Sequence, residues 1–266
     1  MPRQESVLSS CVRRNLGSFI NWQTGECSFD GEEFKTYLEF AKEFPKEFSW
    51  EDYDWEDYVD GNTALRNGKQ LLIPVYLSNL ENYLWMLAAV QDEIRFVGYP
   101  TQNGQGSCFT GINGVSITST CKDKDGAWSF VRQFFTEDYQ REREWYGLPS
   151  NANVFQERID EAMTIEYELD AEGNPVLDEN GEQIIIPKAQ YWSDSDEPYT
   201  IDAMTQEHLD TFMDLYNNVH TVYNSNEAVF EIINEESQYF FADQRSVDDV
   251  ASMIQNRVSL YVAEQR

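Results

Sequence analysis

Short apolar runs alternate with amphipathic stretches of helical period along the first half of the chain, and this alternation restricts the fold class. The run at residues 71–76 (LLIPVY) has the length of a buried strand, and residues 94–97 and 115–118 predict two more strands. Residues 80–89, and a stretch that Asp123 or Asp125 can cap, carry apolar side chains at helical spacing. Strands that alternate with helices in this way predict an α/β protein.

Capping residues predict where further helices begin. Asp30 is followed three residues later by Glu33, as in a capping box, and an apolar stripe of helical period comes next. Asn224 or Ser225 is expected to begin another helix, and Ser246 the final one. We therefore expect about half of the chain to be helical, with strands that do not form one complete sheet.

Residues 166–200 interrupt this pattern with two similar Asp-rich copies, at residues 170–176 and 178–184. Each copy places a glycine where a turn needs a positive φ, and β-branched residues follow. Neither copy has the ligand spacing of a calcium-binding EF-hand loop. The segment is therefore interpreted as an exposed hairpin or loop insertion that is built from turn residues.

Acidic residues dominate the charge of the chain. There are 48 Asp and Glu against 19 Lys and Arg, which gives a formal net charge of -29. Such a chain repels phosphate, so we expect no nucleic-acid partner and little attraction to an anionic membrane. No apolar run reaches the length of about 18 residues that spans a bilayer, and residues 1–6 lack the apolar region of a secretory signal.

Recognisable catalytic and metal-binding motifs are missing from the sequence. His208 and His220 are the only histidines and do not form an HExxH motif, and the four cysteines have no CxxC spacing. There is also no GxSxG elbow and no phosphate-binding GxxxxGK[ST] loop. We therefore predict a protein that is not an enzyme, without catalytic residues, metal or cofactor.

Two other functions stay open. A glycan-active enzyme fragment would use two carboxylates that converge in a cleft, one of them with a raised pKa, and the many acids of this chain allow such a pair. A protein-interaction module would use the stretch at residues 50–58, which alternates acids with aromatic residues and contains no basic residue.

Aromatic residues are more numerous than a core of this size needs: 7 Trp, 15 Tyr and 16 Phe. Several of them lie in predicted turns or beside predicted strand ends, among them Tyr76, Tyr99, Trp192 and Tyr223. A flat aromatic ring suits the C–H face of a sugar, while acids and amides satisfy the sugar hydroxyls.

Seven segments in a fixed order resemble a known family. They are FINWQTGECSF (residues 19–29) with the helix at 32–44, NGKQLL (67–72), VGYPT (97–101), NGVSI (113–117), DGAWSFV (125–131), YQ and GLP (139–140 and 147–149), and the closing helix at 246–264. In this order they resemble the carbohydrate-type extracellular solute-binding proteins of bacterial ABC importers, the family that includes maltose-binding protein.

The resemblance implies a type II periplasmic-binding-protein-like fold, of which this chain would be mostly the C-terminal lobe plus part of the N-terminal lobe. Residues 1–104 would belong to the C-terminal lobe, 105–165 to the N-terminal lobe, 166–200 to the hairpin insertion, and 201–266 again to the C-terminal lobe. Family members are extracellular, tethered as lipoproteins by a segment ahead of the N-terminal lobe. By this resemblance, we expect the sequence to lack that segment and the start of that lobe.

The resemblance also implies a function and a set of binding residues. Two lobes close about a hinge on a carbohydrate ligand and deliver it to an ABC transporter permease, and no bond is made or broken. Tyr76, at the end of the predicted strand, matches a position where the family places a stacking aromatic. Tyr223 lies near a second binding loop, and Asn79 and Tyr99 are implied by their proximity to these segments.

Overall fold

The computed structural model describes residues 3–47, 59–91, 95–99, 106–110, 114–143, 147–192, 197–223 and 226–265. About 52% of the protein is helix and about 10% is strand, and the strands form small sheets. The predicted mixed α/β class, its helical half and the lack of one complete sheet are therefore confirmed at this coarse level.

Helices account for most of the regular structure in the described residues. In chain order they are α1 (Gln4–Phe19), α2 (Glu32–Lys42), α3 (Gly61–Arg66), α4 (Leu80–Val90), α5 (Lys124–Val131), α6 (Glu137–Arg141), α7 (Ala152–Met163), α8 (Gln206–Asn218), α9 (Glu227–Phe241) and α10 (Val247–Glu264). A 3₁₀ turn, Arg132–Phe135, continues α5.

The strands of the described residues are short. They are β1 (Ile20–Asn21), β2 (Glu26–Cys27), β3 (Cys108–Phe109), β4 (Glu166–Tyr167), β5 (Ile185–Ile186), β6 (Ala189–Tyr191), β7 (Tyr199–Ile201) and β8 (Thr221–Val222). They pair two by two: β1 with β2, β4 with β5 and β6 with β7 are antiparallel, whereas β3 with β8 is parallel. Because β3 and β8 are far apart in sequence, their pairing joins distant segments of the chain.

The chain divides into two compact units. The first unit consists of Met1–Trp55, Phe96–Ile112 and Asn217–Arg266, and the second of Glu56–Arg95 and Asn113–Tyr216. The first unit is therefore built from three separate segments of the chain and the second from two. The lobe boundaries that the family resemblance implies stay predictions.

The core of the first unit lies where α1, α2, α9 and α10 meet. Apolar residues at helical spacing supply it, and the rings of Phe19, Phe29 and Phe34 contact one another with centroids 5.1 to 5.7 Å apart. Ser246 caps α10 as predicted, because its hydroxyl accepts a hydrogen bond from the Asp249 amide at 3.1 Å. Both ends of the chain therefore contribute to a single apolar cluster.

The second unit has its own buried residues around α4. The ring of Tyr83 is almost fully buried, packs on Phe212 with centroids 5.3 Å apart, and donates a hydrogen bond to the carbonyl of His208 at 2.9 Å. Asp60 caps α3 through the Asn62 and Thr63 amides and also accepts from the Tyr191 hydroxyl. The hydrogen bonds of Asp60 and the packing of Tyr83 on Phe212 thus both contribute to the structure of this unit.

Within the predicted insertion, residues 166–186 contain the paired strands β4 and β5 and two turns between them. Gly173 and Gly181 have φ values of +84° and +83°, in the left-handed region that glycine adopts readily. Three backbone hydrogen bonds join three residues in a cycle. The amide of Val176 donates to the Glu168 carbonyl, that of Ile184 to the Val176 carbonyl, and that of Glu168 to the Ile184 carbonyl. The eight-residue repeat of the sequence therefore appears as three short extended segments that bond to one another in turn.

Aspartate side chains hold both turns of this hairpin. Asp170 accepts from the backbone of Glu172 and Asn174, and Asp178 accepts from the backbone of Asn180 and Glu182. These bonds favour the ionised carboxylate, so they lower the pKa of Asp170 and of Asp178 below the ordinary value. The turn interpretation of the Asp-rich copies is confirmed by this geometry.

We predict that the Asp178 turn loosens in acid and that Asp178→Asn removes this response. Because the folded-state pKa is lowered, the carboxylate stabilises the turn above its ordinary pKa of 3.8 and loses that effect as the pH falls through the lowered pKa. An asparagine oxygen can accept the same hydrogen bonds at every pH. Hydrogen exchange of the Asn180 and Glu182 amides, compared between the two proteins from about pH 5 to pH 2, measures the difference. An identical response in both proteins would contradict the prediction.

Three predicted strands are not strands in the structure. Residues 71–76 are irregular and Leu71 is 88% exposed, so the predicted buried strand is wrong. Residues 115–118 and the described part of 94–97 are also irregular; Ile94 lies outside the described residues. A short apolar run becomes a strand only when a partner strand lies beside it, which a local pattern does not specify.

Two predicted caps are displaced along the chain. Gly31, and not Asp30, is the N-cap of α2, and Glu33 accepts hydrogen bonds from Asn15 and Tyr37 instead of closing a capping box. Asn226 caps α9 through the Val229 amide at 3.2 Å; Asn224 and Ser225 lie outside the described residues. Asp123 caps α5, as one of the two predicted candidates.

The acidic aromatic stretch at residues 50–58 lies outside the described residues.

Candidate binding site

A buried arginine is the centre of the candidate site in the first unit. Arg14 lies on α1 and is only 7% exposed. Its guanidinium donates a hydrogen bond through Nη1 to the carbonyl of Ser10 at 2.8 Å, one turn earlier on the same helix. Asn15, directly after it, has φ of -133° and interrupts the helical conformation. The charged group is thus held close to an irregularity in α1.

Two of the predicted binding residues, Tyr99 and Tyr223, face this guanidinium. The Cζ atom of Arg14 lies 3.5 Å from the centroid of the Tyr99 ring and 5.8 Å from that of Tyr223. Both distances are within the range of cation–π attraction. Residues that come from three different parts of the chain therefore lie together around one guanidinium.

The backbone explains how the two tyrosines reach this position. The amide of Tyr223 donates to the carbonyl of Phe109 at 2.7 Å, which extends the parallel pairing of β3 and β8 by one bond. Gly98 has φ of +67°, and Gly106 approaches the Tyr99 backbone so closely that a Cβ atom at Gly106 would overlap it. Two glycines and one parallel pair therefore fix Tyr99 and Tyr223.

The electrostatics of the site are dominated by Arg14. Among the described residues no Asp or Glu forms an ion pair with it, although the preceding Arg13 pairs with Glu227 at 3.0 Å. Burial raises the pKa of the Cys11 and Cys108 thiols, and the charge of Arg14 acts on both in the opposite direction. The guanidinium therefore lies among two thiols and two aromatic rings and not beside a carboxylate.

Glu33 of α2 accepts hydrogen bonds from two neutral side chains. Glu33 accepts from the Asn15 amide at 2.8 Å and from the Tyr37 hydroxyl at 2.9 Å. Burial, together with the bond to Glu33, raises the pKa of Tyr37 to about 12. This network fixes Asn15, the residue at which α1 is interrupted, and so it helps to hold Arg14 in place.

The other two predicted binding residues, Tyr76 and Asn79, belong to the second unit. Tyr76 is 70% exposed on an irregular segment, so it does not end a buried strand. Asn79 is the N-cap of α4, and its side-chain oxygen accepts from the Asn82 amide at 2.8 Å. The cap leaves the two N–H donors of its amide available. The proposed binding role of both residues stays a prediction.

The described part of the chain contains no group of three or more His, Cys, Asp or Glu side chains that could hold a metal ion. All four cysteines are thiols and not disulfides. Every helix in the described ranges is either too short or too polar to be a membrane-spanning segment.

Comparison with protein-family models and with curated proteins finds no match to this chain.

Sequence reasoning missed Arg14, the residue on which the site is centred. The available signal was its place on α1, three residues after Cys11 and beside the apolar stripe of Leu8, Val12 and Leu16. An arginine on the flank of an apolar stripe commonly extends its charged group to water. Only the segments at residues 96–99 and 221–223, which are distant in sequence, reveal that this one is covered.

Proposed function

We propose that this chain binds carbohydrate at the cluster of the half-buried Tyr99 and Tyr223 around the buried Arg14, and delivers it to the permease of an ABC importer as an extracellular solute-binding protein. The observation that carries the proposal is the meeting of Tyr99 and Tyr223 at Arg14. The delivery step, the two-lobed periplasmic-binding-protein-like fold and the lipoprotein tether are supported by the sequence resemblance alone.

The chemistry of these three side chains suits a sugar. A tyrosine ring offers an apolar face to the C–H groups of a pyranose and a hydroxyl that donates or accepts. A guanidinium carries five N–H donors in a fixed plane, and sugar hydroxyls or a ring oxygen can accept from them. Such sites commonly combine aromatic walls with a few polar groups that fix the orientation of the ligand.

Binding is favoured over hydrolysis of the sugar. A glycosidase needs a carboxylic acid whose pKa is raised so that it can donate a proton near neutral pH. The described carboxyl groups with displaced pKa values are all displaced downward: Asp60, Glu137, Glu157, Asp170, Asp178 and Glu227. These groups are therefore suited to remain ionised and not to act as a general acid.

We predict that Tyr99→Ala weakens carbohydrate binding about tenfold or more. An aromatic contact contributes roughly 0.5–1.5 kcal/mol beyond the buried area, and the lost area adds to this. Calorimetry with a panel of neutral and acidic trisaccharides measures the affinity of the full chain. Tyr223→Ala is expected to act in the same direction.

Tyr239→Ala is the matched control for this experiment. Tyr239 also lies over an arginine of the first unit, with Arg245 Cζ 4.4 Å from its ring centroid, but that arginine pairs with Glu236. Its replacement is expected to leave the affinity unchanged. If no trisaccharide binds, or if Tyr239→Ala weakens binding as much as Tyr99→Ala, the proposed site is wrong.

A further inference from the structure

We infer that the ligand of this site is an acidic carbohydrate, a hexuronic acid residue whose carboxylate pairs with the Arg14 guanidinium. The inference rests on the proposed carbohydrate function and adds the class of sugar. It follows from the partners that Arg14 has in the structure, and from the fact that no carboxylate of the described residues is among them.

A buried guanidinium without a carboxylate is unusual. Arginine is almost never fully buried unless it is paired, because removing its charge from water costs several kcal/mol. The acids of this chain outnumber its bases, 48 to 19, and other arginines of the first unit have carboxylate partners. Arg13 pairs with Glu227 and Arg257 pairs with Glu236. Because no carboxylate of the described residues pairs with Arg14, its guanidinium can take an anion from outside the chain.

The contacts of Arg14 leave its hydrogen-bonding edge partly unused. In the described residues its guanidinium makes one hydrogen bond, to the carbonyl of Ser10, out of five N–H donors. A distance of 3.5 Å between Cζ and the Tyr99 centroid is too short for an N–H group to point at the ring, so the ring covers a face of the guanidinium. The planar edge, which binds carboxylates through two parallel hydrogen bonds, is therefore not used by Tyr99.

The second tyrosine favours a sugar acid over a simple anion. The Tyr223 centroid lies 5.8 Å from Arg14 Cζ, farther than direct stacking on the guanidinium requires. A carboxylate on Arg14 would therefore bring the pyranose ring that carries it within reach of the Tyr223 face. A polyanion of high charge density, such as nucleic acid, is opposed by the net charge of -29, whereas a single carboxylate meets its cation inside the screening length of about 8–10 Å.

The test compares each acid with its own uncharged derivative. Calorimetry is performed on the full chain with galacturonate, mannuronate and glucuronate trimers and with the methyl ester of each. At least one trimer is expected to bind about tenfold more tightly than its ester, the ratio expected for a charge-assisted bidentate hydrogen bond. Because the ester retains the sugar rings and their hydroxyls, the ratio measures the effect of the carboxylate charges, and the Arg14 variants assign that effect to one pair.

Variants of Arg14 assign this preference to one residue. Arg14→Gln is expected to bind acid and ester equally, and Arg14→Lys to keep part of the preference because it keeps the charge without the fork. Arg13→Gln, which removes the neighbouring charge, should keep the full preference. Circular dichroism verifies that each variant is folded; if Arg14→Gln is not, the acid-to-ester ratio of the unaltered protein and of Arg14→Lys still decides.

The outcomes separate this inference from the proposed function. Equal affinity for acid and ester, or a preference that survives in Arg14→Gln, overturns the inference and leaves carbohydrate binding in place. Binding of no saccharide, neutral or acidic, overturns the proposed function and the inference with it. Binding of succinate but of no saccharide overturns the assignment of the ligand as a sugar acid.

Discussion

Replacement of Phe34 with alanine is expected to lower the free energy of unfolding by about 3–5 kcal/mol. Phe34 is completely buried on α2, and its ring meets Phe29 and Phe19 with centroids 5.1 and 5.7 Å apart. Its removal loses the transfer free energy of the ring and leaves a cavity among side chains of four helices. Because small domains are stable by only about 5–15 kcal/mol, this is a large part of the total.

The same helix supplies the control for Phe34→Ala. Phe40 is 49% exposed and contacts Phe44, with ring centroids 5.2 Å apart, at the surface. Phe40→Ala removes the same atoms from α2 but creates no enclosed cavity, so we expect a loss below about 1 kcal/mol. Urea unfolding followed by circular dichroism measures both variants. Equal losses would mean that the packing described for Phe34 is wrong.

In the second unit, Tyr83→Ala is expected to cost about 3–5 kcal/mol and Tyr83→Phe about 0.5–1.5 kcal/mol. The alanine variant loses the packing of the ring on Phe212, whereas the phenylalanine variant keeps this packing and loses only the hydrogen bond to the His208 carbonyl. The difference between the variants separates the ring from the hydroxyl. Tyr76→Ala is the control, since that ring is exposed and its removal should hardly change the melting temperature.

We also expect the stability of the protein to fall at alkaline pH because the Tyr83 hydroxyl ionises on unfolding. Burial raises the pKa of its hydroxyl to about 12 from an ordinary value of 10.0. Because the folded-state pKa is the higher one, this contribution is fully present below pH 10 and is lost as the pH rises towards 12. Melting temperatures from about pH 8 to 11.5 should therefore fall more steeply in the unaltered protein than in Tyr83→Phe. Parallel curves would show that Tyr83 does not titrate in this way.

Helices could be predicted from this sequence because their signals are local. Phe34, Leu38 and Ala41 recur at helical spacing and are all buried on α2, and Ser246 caps α10. The predicted strand at residues 71–76 failed because this run has the composition of a strand, but no described segment pairs with it. Pro74 within that run also has no N–H group to donate to a sheet.

The binding roles of Tyr99 and Tyr223 were named from the family resemblance and stay predictions. The structure places both rings beside Arg14, which the sequence did not single out. The sequence around Arg14 does not indicate that this arginine is buried. The residues that bury it, such as Tyr99 and Tyr223, are far from it in sequence. Tyr76 and Asn79 belong to the second unit and do not take part in this cluster.

The division of the first unit into three segments has a consequence for the order in which the protein folds during synthesis. α1 and α2 are translated before the second unit, whereas α9 and α10, which complete the core around Phe34, are translated only after it. The second unit can therefore become compact first, while the apolar faces of α1 and α2 are not yet covered by α9 and α10. At roughly 5–20 residues per second this interval lasts many seconds, long enough for molecular chaperones to bind those faces.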